Sequence, residues 1–147
     1  MRPQVFVSYA ENDKNIGEVL RRLLEDQGLT VNVVSEGLCT TVPGRECSKM
    51  VEQALNKSDL VVALITKDSV YSAWMNQELG FAIGADKPTI LFVEGDVPVS
   101  GLYGGRQYIR FGADGLGKVA TTLSKALSEL GITPKMKIIK GAKRPFS

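Results

Sequence analysis

The stretch Leu60-Val61-Val62-Ala63-Leu64-Ile65 contains six apolar residues without a polar interruption. A strand with one wet face alternates apolar and polar residues, so this run predicts a strand that is buried on both faces. Strands of that kind belong to parallel sheets that are covered by helices. The stretch therefore predicts a protein of the α/β class.

Strand and helix patterns alternate on both sides of this run. Further strands are predicted over residues 4–9, 29–34, 89–93 and 107–111. Asn12 or Asp13 is the predicted N-cap of the first helix, and Gly28 is its predicted stop. Right-handed crossovers arrange these units as a doubly wound, five-stranded parallel sheet of order 2-1-3-4-5, with helices on both faces.

The composition narrows the kinds of site that the chain can hold. It has 147 residues, of which 44% are hydrophobic and 23% charged, as expected for one globular domain. It has two cysteines and no histidine. We therefore expect no metal site, and no catalysis by a serine or cysteine paired with histidine. No apolar run approaches the ~20 residues that span a membrane. The strand-like start contains no secretory signal, so a cytoplasmic protein is expected.

Charge is unevenly distributed along the chain. The net charge is +2, yet residues 131–147 contain five basic side chains and no acidic one. We interpret residues 1–130 as the folded domain and residues 131–147 as a basic C-terminal tail or the stub of a linker. Such a tail can contact nucleic acid or an acidic partner. A solvated end is the more common case, so we expect no nucleic-acid partner.

The predicted strand order places a crevice at the carboxyl ends of strands one and three, because their connections leave in opposite directions. Ser8 and Tyr9 follow the first strand, and the segment from residue 66 to Trp74 follows the third. The loop over residues 35–45 overhangs the same edge. Glu78, near the start of the next helix, is expected to face this crevice.

Helical spacing gives Glu78 an unusual environment. Met75, Leu79 and Ile83 form the apolar stripe of its helix, and Trp74, Glu78 and Phe81 lie together along one edge of that stripe. Partial burial beside aromatic rings is expected to raise the pKa of this carboxyl towards values useful for acid–base or ion-stabilising chemistry. The alternative is an edge glutamate that reaches solvent or pairs with a lysine.

A second motif competes with this interpretation. Gly112-Ala113-Asp114-Gly115-Leu116-Gly117-Lys118 has the G-x-x-x-x-G-K spacing of a phosphate-binding loop and lies between a strand and a helix. Val119, however, occupies the position where such loops carry a magnesium-binding Ser or Thr. The alternative is that Gly112 and Asp114 turn the chain and cap the last helix.

Four segments together resemble the Toll/interleukin-receptor (TIR) domain family, in particular its bacterial and archaeal members. The match runs from Gln4 to about Leu130. The segments are Val5-Phe6-Val7-Ser8-Tyr9 (first box), Val42-Pro43-Gly44-Arg45 (end of the BB loop), residues 58–66 (central strand), and residues 72–79 with the Trp-x-x-x-Glu pattern of catalytic members.

The resemblance implies a flavodoxin-like fold and an activity. Enzymatic members cleave the bond between nicotinamide and ribose in NAD+, often only when self-associated, and their catalytic glutamate matches Glu78. Ser8 and Tyr9 would contact the nucleotide, Arg45 the diphosphate, and Trp74 either Glu78 or the nicotinamide. NAD+ is then a substrate, and no cofactor is required. The setting implied is prokaryotic immune or stress signalling.

The same family also contains non-catalytic adaptors that assemble through the BB loop. The BB loop of this chain departs from the enzymatic pattern. Many enzymatic members carry an acidic residue shortly after the second strand, and here only Glu36 is available for that position. Glu11 also lies where some NAD-cleaving members carry a basic residue. An adaptor that binds like domains through Pro43 and Arg45 is therefore the alternative function.

Overall fold

Five strands form one sheet in the computed structural model, and each neighbouring pair is parallel. The structure describes residues 2–33, 44–70, 86–98, 107–112 and 115–132. The strands are β1 (Gln4–Ser8), β2 (Thr30–Val33), β3 (Leu60–Ile65), β4 (Thr89–Glu94) and β5 (Gln107–Phe111). Their order is β2-β1-β3-β4-β5, which confirms the predicted doubly wound sheet of the α/β class.

Three α-helices and two short 3-10 helices are described with this sheet. The α-helices are α1 (Lys14–Asp26), α2 (Gly44–Lys57) and α3 (Ala120–Glu129), and the 3-10 helices are Glu11–Asp13 and Leu116–Val119. Helix α2 begins at Gly44, a residue that the sequence placed in the preceding loop. The 3-10 helix Leu116–Val119 leads directly into α3, which begins at Ala120. Within the described ranges, no helix combines the length and apolar character that crossing a membrane requires.

The largest part of the core lies between the sheet and helices α1 and α3. Side chains alternate along a strand, so Val5 and Val7 of β1 face the same side of the sheet. Their partners on β3, Leu60 and Val62, belong to the same buried cluster. Residues of both helices, among them Leu20 and Leu123, complete this cluster. The central strands β3 and β4 are buried along nearly their whole length, as the unbroken apolar run predicts.

The opposite side of the sheet carries a smaller cluster. Its buried members are Ala10, Ala63, Ile65, Leu91, Val93 and Val97. Helix α2, which joins β2 to β3, buries Val51 and Leu55, and both lie outside the larger cluster. The connections from β1 to β2 and from β2 to β3 run in opposite directions across the sheet, so right-handed crossovers place α1 and α2 on opposite faces.

Two glycines end helices in the same way. Gly28 has a φ of 87° and follows α1, where its N–H donates to the Glu25 carbonyl and the Leu29 N–H donates to the Leu24 carbonyl. Gly131, with a φ of 76°, repeats this pair of bonds after α3. The two 6→1 and 5→2 bonds define a Schellman motif, which needs a left-handed residue. The predicted stop at Gly28 is confirmed.

Candidate functional site

The carboxyl ends of β1 and β3 lie side by side, where the connections leave the sheet in opposite directions. Ser8, the last residue of β1, is paired with Ala63, and β3 continues to Ile65. Ser8 is buried, and Thr66 follows β3 with 2% of its surface exposed. Ser8 and Thr66 therefore lie at the edge of the sheet where the strand order predicts a crevice.

Asp13 joins the two connections at this edge. The residue is only 3% exposed, and its carboxylate accepts a hydrogen bond from the Thr66 hydroxyl, with Oγ1 at 3.0 and 2.9 Å from the two carboxylate oxygens. Asp13 occupies the N-cap position of α1, one of the two predicted positions, but makes no side-chain bond to the helix. The sequence interpretation of this residue as a helix cap is wrong in that respect, because the carboxylate turns towards β3.

The turn after β3 is closed by reciprocal bonds between Thr66 and Ser69. The Thr66 N–H donates to Ser69 Oγ at 2.8 Å, and the Ser69 N–H donates to Thr66 Oγ1 at 3.2 Å. The backbone adds a bond from the Val70 N–H to the Thr66 carbonyl at 2.9 Å. Both hydroxyls are buried, so each satisfies a backbone group that water cannot reach.

A second carboxylate holds the same turn from the other side. Glu94, the last residue of β4, accepts a hydrogen bond from the Lys67 N–H at 2.9 Å. The turn over residues 66–70 is thus fixed to the segment after β1 through Asp13 and to the end of β4 through Glu94. Three neighbouring strands contribute to one anchored turn.

The environment of Asp13 disfavours its charge. Burial is the main cause that raises its pKa above the ordinary aspartate value, and the negative charges of Asp68 and Glu94 add to the shift. Hydrogen bonds from Thr66 and Ser69 oppose the rise in pKa but do not cancel it. A buried carboxyl with a perturbed pKa at a sheet switch point is a common feature of functional sites.

Tyr9 lies in the core rather than along an open edge. It is buried in the cluster beneath α1 and α3, and burial together with the nearby charge of Glu18 raises the pKa of its phenol. Its ring packs directly against Gly17 of α1. The predicted contact of Tyr9 with a nucleotide stays a prediction.

Gly17→Ala is expected to destabilise the protein although alanine favours helices. An added Cβ would lie 2.5 Å from Cδ2 and Cε2 of the Tyr9 ring, a distance that real contacts do not tolerate. Overpacking of this kind costs about 1–3 kcal/mol, while the helix propensity returns about 1 kcal/mol. Urea unfolding should show a lower midpoint than that of the natural protein, and a midpoint equal or higher would contradict the contact.

The matched control removes the ring. In a Tyr9→Leu background the added methyl group no longer meets aromatic carbons, so Gly17→Ala should cost less there than alone. Equal costs in the two backgrounds would show that the clash with Tyr9 is not the cause.

Three predicted site residues cannot be placed in this geometry. Glu78 and Trp74 lie outside the described residues, as does the loop over residues 34–43. Arg45 is the second residue of α2, but its side chain is not among those that the structure describes. Their proposed roles stay predictions. The turn over residues 66–70 is the described part of the chain that leads towards Trp74 and Glu78.

The phosphate-loop alternative loses support from the geometry. Gly112 and Gly115 pair in an isolated bridge, and the Gly115 N–H donates to the Gly112 carbonyl at 2.9 Å. A phosphate loop needs such N–H groups for its ligand. Val119 is buried in the core, which explains an apolar residue where a magnesium ligand would stand.

An apolar-walled cavity of about 380 Å³ lies beside this turn, with Ile16, Val19 and Phe111 among its lining residues.

Sequence reasoning missed the Asp13–Thr66 pair. The signal that was available is an acidic residue shortly after the first strand and two hydroxyl residues shortly after the third.

Across the described ranges, no group of three or more Cys, His, Asp or Glu side chains is arranged to hold a metal ion.

Residues 5–127 match the family model described as the TIR domain. No curated protein sequence matches the chain. Three solved structures illustrate the likeness in fold. A CMP N-glycosidase from Clostridium botulinum is 21% identical, with 80% of this chain and 97% of that chain covered and a TM-score of 0.56. A TIR-STING receptor from C. gigas is 20% identical, with 84% of this chain but only 39% of that chain covered and a TM-score of 0.66. A prokaryotic SEFIR domain is 19% identical, with 98% of this chain and 100% of that chain covered and a TM-score of 0.50.

Proposed function

Because this chain belongs to the TIR domain family, we propose that it cleaves the bond between nicotinamide and ribose in NAD+, with Glu78 as the catalytic residue. The products would be nicotinamide and ADP-ribose or a cyclic form of it. The observation that carries the proposal is the family match over residues 5–127, which includes the Trp-x-x-x-Glu segment from Trp74 to Glu78.

The chemistry suits the residues that the chain has. Nicotinamide leaves NAD+ as a neutral base from a cationic precursor, so no acid has to protonate it. Its departure leaves an oxocarbenium-like ribose, which a nearby carboxylate stabilises. Neither a histidine nor a cofactor is needed for this step. We therefore assign Glu78 the role of stabilising the developing positive charge and orienting the ribose hydroxyls.

The strand order supports the proposed position of the substrate. Parallel doubly wound sheets bind ligands outside the carboxyl ends of their strands at the switch point, which here is the edge between β1 and β3. Ser8 ends β1 at that edge, and we propose that it contacts the nucleotide together with Tyr9. Arg45 would pair with the diphosphate and Trp74 would pack against Glu78 or the nicotinamide.

One structural neighbour supports the reaction class. The C. botulinum protein is named as an N-glycosidase, and the bond proposed here is also an N-glycosidic bond. At 21% identity the likeness concerns the fold, so CMP enters the test as a competing substrate. Self-association is common in the TIR family, and we propose that activity requires it. The proposed setting is cytoplasmic immune or stress signalling in a prokaryote.

Incubation with NAD+ at increasing protein concentration tests the proposal. We expect nicotinamide release, with a rate that rises more steeply than the protein concentration because active molecules are self-associated. Mass spectrometry of the second product distinguishes linear from cyclic ADP-ribose. If the protein cleaves CMP in preference to NAD+, then CMP is the substrate and the NAD+ proposal is contradicted.

The adaptor alternative makes the opposite prediction. It requires self-association that is lost on substitution of Pro43 or Arg45, without nicotinamide release at any protein concentration. That combination would contradict the enzymatic proposal.

A further inference from the structure

The turn over residues 66–70 is fixed by more bonds than a surface turn needs. Besides its internal bonds, it receives one carboxylate from each side, Asp13 through the Thr66 hydroxyl and Glu94 through the Lys67 N–H. Asp13 and Thr66 are 53 residues apart in the sequence, and both are almost fully buried. Because this buried hydrogen bond joins residues that are distant in the sequence, it holds the turn in one position relative to the rest of the protein.

The Thr66 hydroxyl transmits the state of Asp13 to the backbone. A hydroxyl has a single proton, and the carboxylate at 2.9 Å is a nearer and stronger acceptor for it than Ser69 Oγ at 3.3 Å. The Thr66 oxygen then offers its lone pairs to the Ser69 N–H, while Ser69 Oγ accepts the Thr66 N–H. A carboxylate at Asp13 therefore selects the hydroxyl orientation that adds this bond to the backbone bonds from the Ser69 and Val70 N–H groups to the Thr66 carbonyl. A protonated Asp13 accepts a weaker bond and brings its own proton, which needs an acceptor.

Stability alone does not account for an ionised Asp13. Its pKa is raised in the folded protein, mainly by burial, so the fold favours the protonated form. The stability contributed by that preference is complete below the unfolded pKa and is lost as pH rises through the folded pKa. Above the folded pKa, the carboxylate form therefore carries a cost in stability relative to the protonated form.

We propose that Asp13 is a positioning residue that acts through Thr66 to set the turn over residues 66–70, and thereby the course of the chain towards Glu78. This inference rests on the proposed function for the role of Glu78. The placement of the turn by Asp13 does not depend on it. Among the residues that the structure describes, the charged groups that act on Asp13 are Asp68 in the turn and Glu94 at the end of β4.

The fluorescence of Trp74, the only tryptophan in the chain, tests the placement without an activity assay. In the full chain we expect its emission to change with pH, with a midpoint above the ordinary aspartate range, while far-UV circular dichroism stays constant. Asp13→Asn should remove the transition, because asparagine does not titrate. Persistence of the same transition in Asp13→Asn would overturn the proposal.

Three further variants distinguish the role of Thr66, which carries the hydrogen bond to the turn, from that of Asp13, which titrates. Thr66→Val should also remove the emission change, since the hydroxyl is lost, whereas Thr66→Ser should restore it. Asp68→Asn is the matched control, an acidic neighbour whose removal should shift the midpoint to lower pH. A transition in Thr66→Val like that of the natural protein, or a midpoint that rises in Asp68→Asn, would overturn the proposal.

Stability and kinetics complete the test. Asp13→Asn should be as stable as the natural protein above the folded pKa of Asp13, or more stable, and should lose that advantage below it. For nicotinamide release, we expect kcat to fall about tenfold with KM nearly unchanged, since misplaced catalytic groups slow the chemical step. Asp13→Asn and Thr66→Val should not add in the double variant. Additive losses, or a loss that follows melting temperature, would overturn the proposal.

Failure of the proposed function gives a different pattern. If no variant or natural protein releases nicotinamide, while the Trp74 transitions behave as expected, then the placement by Asp13 holds and the NAD+ assignment does not. If nicotinamide is released but the transition is insensitive to Asp13, then the NAD+ assignment holds and the placement by Asp13 does not.

Discussion

Glu78→Gln is expected to abolish nicotinamide release from NAD+ while leaving the fold unchanged. Glutamine has the same shape as glutamate but no charge, so it cannot stabilise a cationic ribose. Loss of one electrostatic group of this kind typically lowers kcat about 10²–10³-fold. KM should change little, because the charge matters most in the transition state. Initial rates of nicotinamide release, measured at protein concentrations where the natural chain is active, check the expectation.

A matched glutamate distinguishes this effect from a general loss of negative charge. Glu52 lies on α2 with an exposed side chain, so Glu52→Gln removes the same charge outside the Trp-x-x-x-Glu segment. Its rate should stay close to that of the natural protein. Glu78→Asp, which keeps the charge but shortens the side chain, should lose activity only in part. Full activity in Glu78→Gln, or an equal loss in Glu52→Gln, would refute the catalytic role.

Phe92→Ala is expected to have the largest effect on stability. Phe92 is 0% exposed at the centre of β4 and is paired with Leu64 on one side and Ile109 on the other. Truncation of a buried phenylalanine loses its transfer free energy and leaves a cavity, at a cost of about 3–5 kcal/mol. Domains have a stability of about 5–15 kcal/mol. Urea unfolding of the variant should show a large fall in the midpoint at an unchanged slope.

Tyr108→Ala provides the control for Phe92. Tyr108 lies on the neighbouring strand β5, is 47% exposed, and is covered by the Arg110 guanidinium at 5.3 Å from its ring centre. Its removal loses a partly solvated contact, so we expect a cost of about 1 kcal/mol or less. Similar costs for Tyr108→Ala and Phe92→Ala would contradict the assignment of Phe92 to the centre of the core.

The fold could be predicted from the sequence because it depends on short-range patterns. The run Leu60–Ile65 identified the central strand, and strand–helix alternation led to the order that the sheet adopts. Gly28 marked the end of α1 because a Schellman motif needs a left-handed residue at one position. The TIR family was indicated by short motifs in a fixed order, and the match over residues 5–127 confirmed it.

The tertiary structure decided which polar and small side chains meet across the sheet. By sequence Asp13 is a helix cap and Thr66 a loop residue, yet the two share a buried hydrogen bond. By sequence Gly17 is an ordinary helix position, yet it leaves room for the Tyr9 ring. Periodicity reveals which face of an element is buried, since it repeats within a few residues. It does not reveal what lies opposite that face, because the partners of a buried group come from distant segments that only folding brings together.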